Sequence, residues 1–172
     1  MRYEGIEGRV AIVTGANHGI GAATAEALAG HGAYVLVSFL RVDDPASDGA
    51  PQAYRANRAR DASRVVGSIR EAGGRADALE ADLRDPATPA AKAALENYAM
   101  SAALELGGYG ITSNVVHPPV TDTGWVTDAV RAFVAASGDH FHVARSEDVA
   151  DVIAYICSEH ARLITANVVH LR

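Results

Sequence analysis

Residues 9–21 read Arg9-Val10-Ala11-Ile12-Val13-Thr14-Gly15-Ala16-Asn17-His18-Gly19-Ile20-Gly21. The first six form a short, apolar, β-branched run that stops at glycine, the pattern of a parallel strand buried in a sheet. From Ile20 to Leu28 apolar and alanine positions recur at helical spacing, and Gly30 and Gly32 supply the stop. A glycine-rich turn therefore joins a strand to a helix. Such a turn lets a pyrophosphate approach the backbone, and the helix start offers it free N–H groups and the positive end of a dipole. Glycine spacing alone could mark a plain connector; the position, after a first strand and opening a helix, favours nucleotide binding.

Working outward, residues 33–38 read as a second buried strand, and residues 41–51, dense in Asp, Pro, Ser and Gly, as a surface loop. Ala62, Val65, Val66, Ile69 and Ala72 mark one helical face that ends at Gly73-Gly74, and residues 76–81 form a weaker third strand. Thr88-Pro89 is a helix start, with hydroxyl as N-cap and proline first inside; Leu95, Tyr98, Ala99, Ala102 and Leu106 share a face, and Gly107-Gly108 close it. A strand is expected over 111–117, a helix over 126–136, a helix capped by Ser146 with Val149, Val152, Ile153 and Ile156 inward, and a last strand over 164–171. Strands alternate with helices, so the fold expected is α/β: a Rossmann-like, three-layer arrangement with a mostly parallel sheet, forming one dinucleotide-binding domain over 1–172. Ligands of such sheets bind at the carboxyl ends of the strands.

Composition narrows the partners. The 172 residues carry a net charge of −6 with Lys and Arg dispersed, so neither duplex nucleic acid nor an anionic membrane surface is an expected partner. A small anion can still bind a locally positive pocket. The one cysteine excludes an internal disulfide and a cysteine metal cluster. No signal-peptide core or membrane-length apolar run is seen, and a cytoplasmic location is expected. His140-Phe141-His142 puts two imidazoles on one side of an extended segment, but no third ligand stands near, and no metal site is expected. Trp125, Phe133 and Phe141 are candidates to line an apolar pocket, with core packing the competing role.

Thr14-Gly15-Ala16-Asn17-His18-Gly19-Ile20-Gly21 resembles the Thr-Gly-x-x-x-Gly-x-Gly motif of the short-chain dehydrogenase/reductase family, in particular its 3-oxoacyl-(acyl-carrier-protein) reductase-like members. Further resemblances follow in order: Asp82-Leu83 at the adenine site, Lys92 on the catalytic helix, and Asn114-Val115-Val116-His117-Pro118 with Thr121-Asp122-Thr123-Gly124 at the nicotinamide end. The resemblance implies a dinucleotide held by Gly15, Asn17, His18, Gly19, Ile20, Gly21, Ser38, Arg41, Asp82, Leu83, Lys92, Pro118, Thr121 and Thr123, with Lys92 the catalytic residue that can be matched. An acidic residue at the end of the second strand would repel a 2′-phosphate; Ser38-Phe39-Leu40-Arg41 stands there instead. That favours NADP over NAD, with Arg41 and His18 toward the phosphate.

The resemblance also breaks. The family places a Tyr four residues before the Lys; here Thr88 holds that position, and a threonine hydroxyl is far less acidic than a phenol. Tyr98, six residues after Lys92, points elsewhere on a helix. Only nine residues separate Asp82 from Lys92, where relatives carry roughly 70 to 90, including two strands and the catalytic Asn, Ser and Tyr. The sheet is therefore expected to shrink to about five strands, with the strand over 111–117 pairing directly with the first. Helix surface left uncovered by this loss implies a homo-oligomer, a dimer or larger, with or without elements exchanged between copies. Two functions follow: an NADP(H)-dependent oxidoreductase acting on a carbonyl or secondary alcohol, or an inactive remnant that binds a dinucleotide or associates with itself.

Overall fold

The computed structural model describes residues 3–42, 50–81, 99–138 and 142–172. Three parallel strands, β1 (Val10–Thr14), β2 (Tyr34–Phe39) and β3 (Arg75–Glu80), form one sheet with β2 in the centre; Val10 lies beside Tyr34 and Tyr34 beside Arg75. Each strand returns to the next through a helix on the same face, α1 (Gly19–Gly30) between β1 and β2 and α3 (Ser63–Glu71) between β2 and β3. The register puts Ala11, Val13, Val35, Val37, Phe39 and Ala76 toward these helices. There Val35, Val37, Val65, Ala25 and Ile69 pack as the core, with Val35, Val37 and Val65 fully buried, each worth about 1.5–3 kcal/mol of transfer free energy.

A second ladder joins β4 (Asn114–His117) to β7 (Asn167–His170), again parallel, and a two-residue ladder joins β5 (Thr121–Asp122) to β6 (Ala144–Arg145). The remaining helices are α2 (Gln52–Ala59), α4, helical over 99–106, α5 (Asp128–Ala136) and α6 (Ser146–Ile156). α6 packs along α1, with Ala154 fully buried in the core, and this contact ties the second half of the chain to the first. Below it, the N–H of Glu159 donates to Glu4 O at 3.0 Å, and Arg9 pairs with Glu159 at 3.5 Å.

The architecture is the truncated, Rossmann-like three-layer α/β fold expected, with five strands of four or more residues and two of two residues among the described residues. The expected pairing is not: β4 pairs with β7 and not with β1, so the five strands make two ladders. Among the described residues β1 has only β2 as partner, and on the face opposite α1 its side chains are bare: Val10 is 70% and Ile12 67% exposed, with Leu79 of β3 at 56%. A run that reads as buried on two faces is buried on one.

Smaller differences are local. α2 was not expected. α5 begins at Asp128 rather than 126, β4 at Asn114 rather than 111, and β7 covers only 167–170 of the expected strand. The cap of α6 is Arg145, not Ser146: the Arg145 N–H donates to Asp148 Oδ2 at 3.1 Å, and the Ser146 hydroxyl turns to Asp122 O at 3.5 Å. Phe133 is 66% exposed and takes no part in the core. Among the described residues no helix is long and apolar enough to cross a membrane, and no group of three or more His, Cys, Asp or Glu side chains could hold a metal.

Candidate functional site

The site lies at the carboxyl edge of β1 and β2, where residues 15–21 turn into α1. The Ala16 N–H donates to Ser38 O at 3.1 Å, which fastens the turn to the end of β2, and Asn17 sinks beneath it, 5% exposed, donating its amide to Arg60 O at 2.8 Å. Two glycines are required by contact. A Cβ on Gly21 would lie 2.5 Å from Gly15 O, inside any real contact distance, so only glycine lets the first turn of α1 close on β1. Gly19, at φ +58°, sits with its missing Cβ 2.8 Å from Thr123 Cγ2. That contact joins the glycine-rich turn to the loop after β5 and makes one site of two distant stretches.

Electrostatics set the roles. His18 Nδ1 lies 3.0 Å from Asn17 Oδ1, and burial, with the Arg58 guanidinium as a second cause, holds its imidazole below the usual histidine value. His18 is therefore neutral at pH 7. It can share a hydrogen bond with a phosphate but brings no charge to it. Arg41 grips Glu80 through Nε and Nη2, the latter at 2.8 Å from Oε2, and this pair holds the Glu80 carboxyl below the ordinary carboxylate range. A phosphate at the end of β2 would have to share that guanidinium with Glu80.

Thr121 is 4% exposed, its hydroxyl donating to Pro119 O at 2.9 Å, and Pro118 follows β4 directly. Ile20 lies in the first turn of α1, half-buried. The structure thus brings together Gly15, Asn17, His18, Gly19, Gly21, Ser38 and Thr123; it leaves Arg41 in its own ion pair. Asp82, Leu83, Thr88, Lys92 and Tyr98, with His140 and Phe141, lie outside the described residues.

Sequence reasoning missed α2. Asn57 donates its amide to Thr123 O at 3.4 Å and abuts Gly124, whose φ is +100°. Tyr54 stands edge-on to His18 with 6.3 Å between ring centroids, and the Arg58 guanidinium lies 5.7 Å from the Tyr54 ring. Tyr54, Asn57 and Arg58 recur at i, i+3 and i+4 after Pro51, a helical signal outweighed by the turn-rich residues before it. Between α2 and the start of α5, Pro51, Tyr54, Thr123, Trp125, Thr127 and Val130 line an open cleft of about 650 Å³ beside the glycine-rich turn.

Comparison with known proteins places this geometry. A family model described as Enoyl-(Acyl carrier protein) reductase matches residues 83–171. The uncharacterized oxidoreductase YjdA of Bacillus subtilis is 35% identical over 81 residues, 47% of this chain and 32% of that protein. The 2,3-dihydro-2,3-dihydroxybenzoate dehydrogenase of the same organism is 33% identical over 115 residues, 67% of this chain and 35% of that one. The chain thus spans about a third of the length of these two curated relatives. Among solved structures, the angucycline C-6 ketoreductase LanV, with bound NADP, superposes with a TM-score of 0.77 at 22% identity, covering 98% of this chain and 96% of that one, a likeness of fold.

Proposed function

The chain belongs to the short-chain dehydrogenase/reductase family, an oxidoreductase family, and from that premise we propose that it binds NADP(H) at the carboxyl edge of β1 and β2. One observation carries the reading: Gly21 approaches Gly15 O so closely that a methyl group cannot fit, while the outer side of Gly15 has open space. A turn packed inward and open outward is the cradle that a pyrophosphate needs. Gly15, Asn17, His18, Gly19, Ile20 and Gly21 would hold the pyrophosphate. Ser38 and Arg41 would hold the adenine ribose; β2 itself ends without an acid, and a 2′-phosphate would compete with Glu80 for the Arg41 guanidinium. Asp82 and Leu83 would flank the adenine, Lys92 the nicotinamide ribose, and Pro118, Thr121 and Thr123 the nicotinamide end. LanV is described with NADP bound, which supports the choice of cofactor. When bound, the cofactor supplies or accepts a hydride. The family reading assigns transfer between it and a carbonyl or secondary alcohol, with Lys92 as catalytic residue.

A second reading, an inactive protein that binds a dinucleotide or associates with itself, is favoured by two observations. Thr88 stands four residues before Lys92, where proton transfer needs a phenol. The bare face of β1 also favours burial against a second copy of the chain. Turnover of a panel of ketones with NADPH separates the readings: oxidation of NADPH that falls when Lys92→Ala is introduced supports the enzyme, and rates equal for both proteins remove Lys92 from the mechanism. Light scattering tests association, and a monomer at all concentrations counts against it.

A further inference from the structure

We propose that the cleft between α2 and α5 is a binding site for a flat, neutral, aromatic carbonyl compound, held against the ring faces of Tyr54 and Trp125. Its role as the substrate site rests on the dinucleotide reading; its preference for aromatic ligands rests on the cleft alone.

Four observations lead there. At about 650 Å³ the cleft is roomy enough to admit a bicyclic or tricyclic ring system with space to spare. Its described lining bears no charged side chain, with the Arg58 guanidinium behind it at 5.7 Å from the Tyr54 ring, so it costs least to fill with a neutral molecule. The indole N–H of Trp125 donates to Thr121 O at 2.9 Å, so the ring, 37% exposed and part of the lining, has no donor left and meets a ligand as an apolar aromatic surface. Across from it, Tyr54 is set by its backbone, 3.6 Å from the missing Cβ of Gly124, and by its edge-on contact with His18. Two aromatic groups anchored from different elements select a planar ligand.

Polar recognition has a source as well. The Thr127 hydroxyl accepts the Val130 N–H at 3.4 Å, as the cap of α5, which leaves its own hydrogen to donate to a carbonyl oxygen. Thr123 lines the cleft and touches Gly19, so a ligand seated there lies beside the glycine-rich turn and within reach of whatever that turn holds.

The test uses the fact that Trp125 is the chain's one tryptophan, which makes its fluorescence a direct report on the cleft. The full chain is titrated with 2-tetralone and, separately, with 2-decalone, a bicyclic ketone of the same skeleton without the aromatic ring. Saturable quenching by 2-tetralone, about tenfold tighter than any effect of 2-decalone, is the expected result. Tyr54→Leu should bring the two affinities together, and Tyr54→Phe should keep them apart. Equal affinities for the two ketones, or a Tyr54→Leu protein that discriminates like the parent, overturns the proposal. NADPH binding, followed by its own fluorescence, keeps the two claims apart. NADPH bound without a preference for 2-tetralone defeats the cleft and spares the cofactor reading. A preference for 2-tetralone without NADPH binding defeats the cofactor reading and supports the cleft.

Discussion

Gly21 and His18 show how much a single position can decide. Replacing Gly21 by alanine would set a methyl group 2.5 Å from Gly15 O, with backbone on both sides and nothing flexible to yield. Gly21→Ala should cost about 1–3 kcal/mol of stability by overpacking, read from urea denaturation. By reshaping the turn it should also weaken NADPH at least tenfold in a fluorescence titration. His18 governs a pH dependence whose sign follows from its lowered pKa. Between that value and the ordinary one near 6.5, the unfolded chain binds a proton that the folded chain does not, so stability rises with pH across this window and is flat above it. His18→Asn should remove that part of the slope in melting curves recorded from pH 5 to 7. The glycines were legible in the sequence because their need is local, a tight turn between a strand and a helix. The charge state of His18 was not, because it depends on burial and on Arg58, forty residues away and brought close by α2.

At the scale of elements, the strands and helices of residues 9–39 and 63–80 were readable because apolar periodicity and glycine stops agreed. α2 was not, although it completes the site. It has no fully buried residue, so its sequence carries no strong apolar stripe, and it is held in place by polar contacts. Asn57 ties it to the loop after β5, bonded to Thr123 O and packed on Gly124, while Val42 and Asn17 donate to Arg58 O and Arg60 O at its end. Asn57→Ala should destabilise the chain by about 1 kcal/mol and speed hydrogen exchange in α2 and residues 123–125 more than elsewhere. Uniform loss of protection would mean that α2 is not a separable clasp. The cap of α6 was misread by one position because Arg145 and Ser146 both precede a helical run. The choice was made by Asp148, whose carboxylate takes the Arg145 N–H.

For the whole molecule, strand pairing was the least legible feature. Pairing joins residues far apart in sequence, and an apolar run such as 10–13 reads the same whether one face or both are covered. The structure leaves Val10 and Ile12 of β1 bare, with Leu79 exposed on β3 at the other edge of this sheet, and among the described residues β1 has no partner beyond β2, a surface that favours association. Ile12→Lys places a charge at its centre, far from the helices on the opposite face. It should shift sedimentation toward monomer without lowering the melting temperature; an unchanged mass distribution would remove β1 from the contact.

The claim on which the functional account stands is that the turn over residues 15–21 holds a dinucleotide, and it is tested most directly by titrating the full chain with NADPH and following nucleotide fluorescence. A saturable enhancement is expected, stronger for NADPH than for NADH and lost in a folded Gly21→Ala variant. No response to NADPH from the folded parent chain, or the same response from Gly21→Ala, would contradict it.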